Sequence, residues 1–485
     1  MKELALEDIQ FHSLSIVDKN GRLFWLNGKL YRAISHENSA LYSQLFKEGI
    51  VEELVTKGLL VDTTMTDWCV DNYELVLHHR AIPFISYPYE WCDLMFKDAT
   101  LFHIEFLIEL EKYSLTTTDA NSLNILFDGS KPVFIDFCSI TQSDEKPLWP
   151  GRTYEKFKFL FLKPLEIMTK KQADLARTLI RDSYYVSTSK LEQQHQIFDF
   201  NKKHNLNTAR LKRSAFQLIR QKTPSLIRPF FKKAFLTAQK SQAPLQSASR
   251  RSFLLELQEK VSQMKLPENS IQVTDCFDKS TTSLTDKRTW TAQQIEVDRV
   301  FATYHPKTLL DTDSNQGWYA QCAALNGSKV VAFDDDENRV RNLYTQAQQN
   351  NLYIVPLLID LTSPHFNLCN DFFVSIDERL CCEMVMCLNI TQHLLLKRRL
   401  TLEKFLSRLS ALSNRWVLLE FIPPADLRNF IPSHNLSALE AWERGHCYKY
   451  ETFLSVLSKF FVDVTNLATY EGGRKLLLCK KNDSH

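Results

Sequence analysis

The sequence predicts an α/β fold: its C-terminal half is an open, mostly parallel sheet, preceded by an α+β domain and a basic helical connector. Three short apolar runs carry that reading, and each ends on a carboxylate. Leu309-Leu310 ends on Asp311, Val330 to Phe333 on Asp334, and Ile354 to Ile359 on Asp360. Between them lie two helical stretches, Trp318 to Leu325, stopped by Asn326-Gly327, and Glu337 to Gln349. Strands alternating with helices in this way form a βαβαβ unit, with parallel strands and right-handed connections. Further on, Glu383 to Ile390 reads as a fourth strand, Thr401 to Leu412 as a helix, and Trp416 to Phe421 as a fifth strand stopped by Pro423-Pro424. Tyr450 to Phe460 is predicted helical, with last strands at Phe461 to Thr465 and Lys475 to Cys479.

This polarity brings Asp311, Asp334 and Asp360 to one edge of the sheet, where open α/β sheets bind ligands. A carboxylate after the second strand is suited to accept hydrogen bonds from ribose hydroxyls. The pattern resembles the class I S-adenosylmethionine-dependent methyltransferases, whose Rossmann-like sheet ends in an antiparallel pair. The resemblance implies S-adenosyl-L-methionine as cofactor and an unidentified methyl acceptor. It makes Asp311 the first acid, Asn315 and Gly317 parts of the loop, Asp334 the ribose acid and Asp360 the acid near adenine. Asn389 joins them on the cofactor side. Asp313 stands where such loops usually carry their first Gly, and adds a Cβ and a charge beside the methionine moiety. His393, just past the fourth strand, and Glu420, at the end of the fifth, are the candidate bases toward the acceptor. His393 reads equally as a core-edge histidine.

Composition sets the outer limits. At 485 residues the chain has room for two or three domains. A charged fraction of 24% and a hydrophobic fraction of 44% suit a soluble globular protein with sizeable cores. A formal charge of +2 implies no global attraction to nucleic acid or acidic membranes. The 11 cysteines form no CxxC pair, and Cys381, Cys382 and Cys387 sit in an apolar run as reduced core filler. The N-terminus lacks a signal-type apolar core and no uninterrupted apolar run reaches membrane length, so a cytoplasmic location is expected.

In the N-terminal part, Gly21 to Ser35 reads as a hairpin about Asn27-Gly28, the dipeptide suited to a type I′ turn. A helix follows from about Ser39 to Lys57, then a strand from Tyr73 to His78 and a long helix from Trp91 to Tyr113. Ile125 to Phe127 and Val133 to Ile135 are strands joined at Asp128-Gly129. An Asp five residues before an Asn precedes them, and Asp-Phe follows. This arrangement resembles protein-kinase-like and aminoglycoside-phosphotransferase-like folds. The resemblance makes Asp119 the base and Asn124 and Asp136 the metal ligands, with Mg and ATP as the implied cofactors. Arg32 stands about where such folds carry their strand lysine, with Glu48, Glu52 or Glu53 as its helix partner. Cys138 replaces the Gly after Asp-Phe, and no Gly-rich loop is present. The expectation is a kinase-like scaffold without phosphotransfer; the alternative is an unrelated α+β hairpin with chance acids.

Residues 200–251 are rich in Lys and Arg and contain no Asp or Glu. Broken basic helices are predicted there. They read either as a solvated face between domains or as a surface for an anionic partner or membrane. Ser252 to Met264 and Trp290 to Phe301 are predicted helices. The chain is thus expected to divide into a kinase-like domain at 1–199, a connector at 200–285 and a methyltransferase-like domain at 286–485. Taken together, its halves resemble a bacterial group of two-part methyltransferases related to a host-specific nodulation protein. The marks are YELVLHHRAIPFISYPYEWC, NILFDGSKPVFIDFCSI, SNQGWYAQCAA and WVLLEFIPPAD. A second reading is a non-catalytic interaction protein built from degenerate methyltransferase and pseudokinase folds.

Overall fold

A computed structural model describes residues 2–12, 15, 18, 20–143, 151–183, 249–268, 284–361, 373–388, 401–423, 425–426 and 449–481. The chain forms two compact units. The first comprises residues 1–103, 122–141 and 266–485, and the second 104–121 and 142–265.

The first unit opens with a seven-stranded sheet. Its strands are β1 (Lys2–Leu4), β2 (Gln10–Phe11), β3 (Gly21–Leu26), β4 (Lys29–Ser35), β5 (Thr63–Met65), β6 (Trp68–Val70) and β7 (Tyr73–His79). Their order is β1-β6-β7-β4-β3-β2, with β5 also on β7. Asn27 and Gly28 both have positive φ, +50° and +72°, which matches the twist of the β3–β4 hairpin. Alternation along the strands sends Phe24, Tyr31, Ala33, Val70 and Val76 into one apolar cluster. The single helix expected from Ser39 to Lys57 is two, α1 (His36–Lys47) and α2 (Ile50–Thr56). They break at Gly49, whose φ of +74° side chains with a Cβ avoid. The long α3 (Asp93–Glu111) forms as expected.

The second unit contains β8 (Leu115–Thr117) and the helices α4 (Gly151–Phe157), α5 (Lys163–Met168), α6 (Ala173–Ser183) and α7 (Arg250–Ser262). Phe157, Phe161, Leu165, Phe253 and Leu257 are buried in it. Tyr154 meets Phe253 edge to face at 5.3 Å. Most of the basic connector, residues 200–248, lies outside the described residues.

Back in the first unit, β9 (Ile125–Asp128) and β10 (Lys131–Phe134) pair antiparallel, and β11 (Ile140–Gln142) follows. The C-terminal sheet has seven strands: β12 (Thr308–Asp311), β13 (Lys329–Asp334), β14 (Ile354–Leu358), β15 (Cys382–Cys387), β16 (Ser413–Phe421), β17 (Asp463–Thr469) and β18 (Lys475–Lys480). The order is β14-β13-β12-β15-β16-β18-β17. β12 to β16 run parallel, and β18 is antiparallel to both neighbours. Among the described residues, the longer helices beside this sheet are α8 (Ala292–Tyr304), α9 (Trp318–Leu325), α10 (Glu337–Gln349), α11 (Leu402–Ala411) and α12 (Tyr450–Leu457), with a single turn of helix at Ile376–Arg379. The central strands are buried on both faces, which is why they read as unbroken apolar runs. Strand boundaries differ from expectation: β15 spans Cys382–Cys387, β16 starts at Ser413, and β17 runs from Asp463 to Thr469, with polar residues entering the last two ladders through backbone pairing. Cys382 and Cys387 are buried and free, and Cys381 is half-buried. No helix among the described residues is long and apolar enough to cross a membrane.

Within this unit residues 85–98 are fastened to the sheet's flank by charge. The Arg341 guanidinium donates from Nε to Asp93 Oδ1 at 2.8 Å, from a second nitrogen to the other Asp93 oxygen, and to the Pro267 carbonyl at 2.8 Å. Arg379 donates to both Glu90 oxygens, from Nη1 at 3.0 Å, and to the Ile85 carbonyl at 2.6 Å. Its guanidinium also lies 4.4 Å from the centre of the Tyr87 ring. All four charged side chains are buried. Deleting one partner of such a pair strands the other without water. Arg379→Met should therefore lose about 3–5 kcal/mol in urea unfolding, and Glu90→Leu with Arg379→Met should recover most of it.

Candidate functional site

Asp311 and Asp334 are the last residues of neighbouring parallel strands, so pairing brings both to the C-terminal edge, Asp334 two residues beyond Ala332, the register partner of Asp311. The loop after β12 is pinned from three directions. Thr312 N–H donates to the Met386 carbonyl at 3.1 Å, Ser314 N–H to Phe333 O at 2.9 Å, and Gly317 N–H to Ser314 O at 2.6 Å. Asn315, at φ +47°, turns its N–H onto Asp334 Oδ2 at 2.9 Å. Gly317 begins α9 at φ +76°, and a Cβ there would run into the Leu343 side chain of α10. Glycine is required on both counts.

Asp334 is built into this loop rather than hung beside it. Its Oδ1 accepts the Asp336 N–H at 2.9 Å while Oδ2 accepts that of Asn315. Asp336 caps α10 by accepting from Asn338 N–H and Arg339 N–H. That cap places Arg339 in the first turn, where its Nη1 donates to Asn315 Oδ1 at 2.9 Å and lies 3.7 Å from Asp334 Oδ2. A carboxylate offers about four acceptor positions, so two remain on Asp334 for a ligand. Burial, reinforced by Asp313 and opposed by Arg339, pushes the Asp334 carboxyl up to about 7. Burial, reinforced again by Asp313, holds Asp311 well above the carboxylate range.

The remaining expected residues fall out unevenly. Asp360 lies two residues past β14, and the preceding Ile359 N–H donates to the Asp334 carbonyl at 3.1 Å, so three acids share this edge. Glu420 is buried near the end of β16, opposite Leu476 of β18. Arg474, from the turn before β18, approaches it to 3.8 Å and pairs with Asp426 as well. His393 and Asn389 lie outside the described residues. Arg339 and Arg474 were not singled out from sequence. The Asp336 cap signal three residues before Arg339 was available to find the first of them.

In the N-terminal part, Asn124 Nδ2 donates to Asp136 Oδ2 at 3.1 Å. Arg32 does not pair with Glu48, Glu52 or Glu53. The break at Gly49 leaves all three acids on the solvent face, and Glu53 pairs with Lys57 instead. Arg32 is buried, donates to Asp18 Oδ2 at 2.7 Å and stands 3.9 Å from Asp136 Oδ1. Asp119, in the second unit, pairs with Lys156 at 3.0 Å. No group of three or more His, Cys, Asp or Glu among the described residues forms a metal-binding cluster.

With this geometry in hand, comparison with known proteins finds one clear relative in sequence. The chain is similar to the nodulation protein NoeA of Rhizobium meliloti (strain 1021), 23% identical over 429 residues and 85% of each chain. No family model matches. Solved structures align to parts of the chain with low overall similarity. Magnesium protoporphyrin IX methyltransferase (ChlM) from Synechocystis PCC 6803, with bound SAH, is 18% identical over 39% of this chain and 83% of its own, at a TM-score of 0.27. TehB from Haemophilus influenzae is 16% identical over 40% of this chain and 64% of its own, at 0.28. The bifunctional kinase-methyltransferase WbdD is 13% identical over 38% and 37%, at 0.27. The architecture is stated more firmly by the chain's own strand order. Counted from β12 it is 3-2-1-4-5-7-6 with the seventh strand antiparallel to both its neighbours.

The raised acids have a consequence for stability. The folded chain keeps protons on Asp311 and Asp334 that the unfolded chain gives up near 4, so their contribution falls as pH rises from about 4 through about 7. Asp313→Asn removes a charge that both acids feel. Urea unfolding should find this variant about 1 kcal/mol more stable than the parent near pH 8, and equal to it near pH 4.

Proposed function

We propose that the chain is an S-adenosyl-L-methionine-dependent methyltransferase of unidentified acceptor, with its chemistry in residues 286–485. The observation that supports this best is Asp334, a buried acid ending the second strand with two acceptor positions left beside a loop pinched at Gly317. These residues fit the cofactor: Asp334 would take the ribose hydroxyls, and Asp311 and Asp313 lie in the adjoining loop. Bound S-adenosylmethionine supplies an electrophilic methyl group on a sulfonium. On the acceptor side, Glu420 is the base candidate, its charge offset by Arg474. The non-catalytic reading draws on Asp313, whose charge raises both neighbouring acids, and on Cys138 and the missing Gly-rich loop of the N-terminal part.

Residues 1–199 we read as a kinase-like domain without phosphotransfer, and 200–285 as a connector. The Mg and ATP site does not fit well: the Arg32 guanidinium already offsets Asp136, which also accepts from Asn124. Phosphoryl transfer needs metal, lysine and loop amides together, and the last two are missing from the sequence.

Calorimetric titration with S-adenosylmethionine and S-adenosylhomocysteine tests the first reading. Binding of at least one is expected; no binding of either at millimolar concentration rejects it. Asp334→Asn should weaken binding at least about tenfold, since hydrogen bonds to a charged acceptor contribute about 1.5–3 kcal/mol each. For the N-terminal domain, no nucleotide hydrolysis is expected. Hydrolysis that disappeared in folded Asp119→Ala and Asp136→Ala proteins would overturn that part.

A further inference from the structure

We infer that Arg339 is a positioning residue for the ribose acid: it favours the charged form of the Asp334 carboxylate while leaving its acceptor positions open to a ligand's vicinal diol. The inference rests on the cofactor reading above and adds to it a residue outside the strand-end acids and the loop.

The geometry separates two roles that one guanidinium usually combines. Arg339 spends its hydrogen bond on Asn315 Oδ1, at 2.9 Å. Its Nη1 stands 3.7 Å from Asp334 Oδ2, close enough for charge to act and too far to occupy a lone pair. The two Asp334 oxygens each accept one backbone N–H, from Asp336 and Asn315. Each therefore retains one acceptor position, the number a vicinal diol requires. A guanidinium docked directly onto the carboxylate would have filled them.

The same contact holds the loop. Asn315 sits at φ +47°, a conformation that needs local support, and its side chain is tied on one side to Arg339 and on the other to the Asp313 carbonyl at 3.2 Å. Its N–H is thereby aimed at Asp334. The charged groups acting on Asp334 are Asp313 from the loop, Asp311 from β12, Asp335 just after β13 and Arg339 from α10. Three are acids, and Arg339 is the cation that offsets them. An opposite charge at this range moves a carboxyl by about 1–3 pKa units, so for an acid titrating near 7 losing it lowers the charged fraction near neutrality at least about fivefold. Arg339 is partly exposed on the first turn of α10, so its replacement leaves the core packing intact.

The test uses the full-length chain and S-adenosylhomocysteine, which carries the same ribose, titrated calorimetrically at about pH 7 and about pH 9. Arg339→Gln is expected to bind at least about fivefold more weakly at the lower pH, with the gap narrowing at the higher one, where Asp334 ionises unaided. Arg339→Lys should restore the parent's pH midpoint. Carboxyl-carbon NMR of Asp334 in the ligand-free protein should show its titration displaced upward in Arg339→Gln. An equal loss at both pH values, or no loss at either, overturns the inference while wild-type binding leaves the cofactor reading standing. Absence of binding by the wild-type chain overturns both.

Discussion

Two buried guanidinium–carboxylate pairs, Arg341 with Asp93 and Arg379 with Glu90, decide how the first unit is put together. Their partners lie 248 and 289 residues apart in sequence. Removing four charges from water costs nearly as much as their attraction returns, so the pairs add little net stability. What they add is selectivity. Any other seating of residues 85–98 against α10 and the 376–379 turn leaves at least one buried charge uncompensated. The same helix then serves the site. α10 carries Arg341 to Asp93, sets Leu343 against Gly317, and holds Arg339 beside Asn315 and Asp334. The cofactor-side loop thus inherits its position from ion pairs that never touch it.

That dependence also explains what could be read from the sequence. β12, β13, β14 and β16 were legible because strands buried on both faces are written as apolar runs, and their ends were marked by Asp311, Asp334 and Asp360. The β3–β4 hairpin was legible from Asn27-Gly28, where two successive residues must take positive φ. The short strands β1, β2, β5 and β6 were not. At two or three residues each they have no period to detect, and they exist through pairing with β3, β6 and β7. The division of the expected 39–57 helix at Gly49 was missed for a different reason, since a lone glycine within an amphipathic pattern is usually tolerated.

The site divides along the same line. Asp311 and Asp334 could be found because a strand end is a one-dimensional feature. Arg339 was not, because its meaning depends on helical phase counted from the Asp336 cap: one residue on, the side chain would miss Asn315. Arg32 shows the limit of reasoning by resemblance. Its strand position resembled a lysine's, but its partner came from Asp18, upstream of its own hairpin, and no helix-spacing argument points there.

The electrostatics of the edge tie these observations into one constraint. Burial raises the proton affinity of Asp311 and Asp334, and the charge of Asp313 raises both further. A site of this kind has two ways to become comfortable: it keeps protons, or it receives a cation. Arg339 provides one positive charge, but held back from hydrogen-bonding distance of Asp334. A ligand carrying both a diol and a positive centre answers each unmet demand, the open acceptor positions of Asp334 and the excess negative charge of the loop. A neutral diol answers only the first. The acid at position 313 is therefore compatible with the sulfonium cofactor proposed above. Its charge favours a cation.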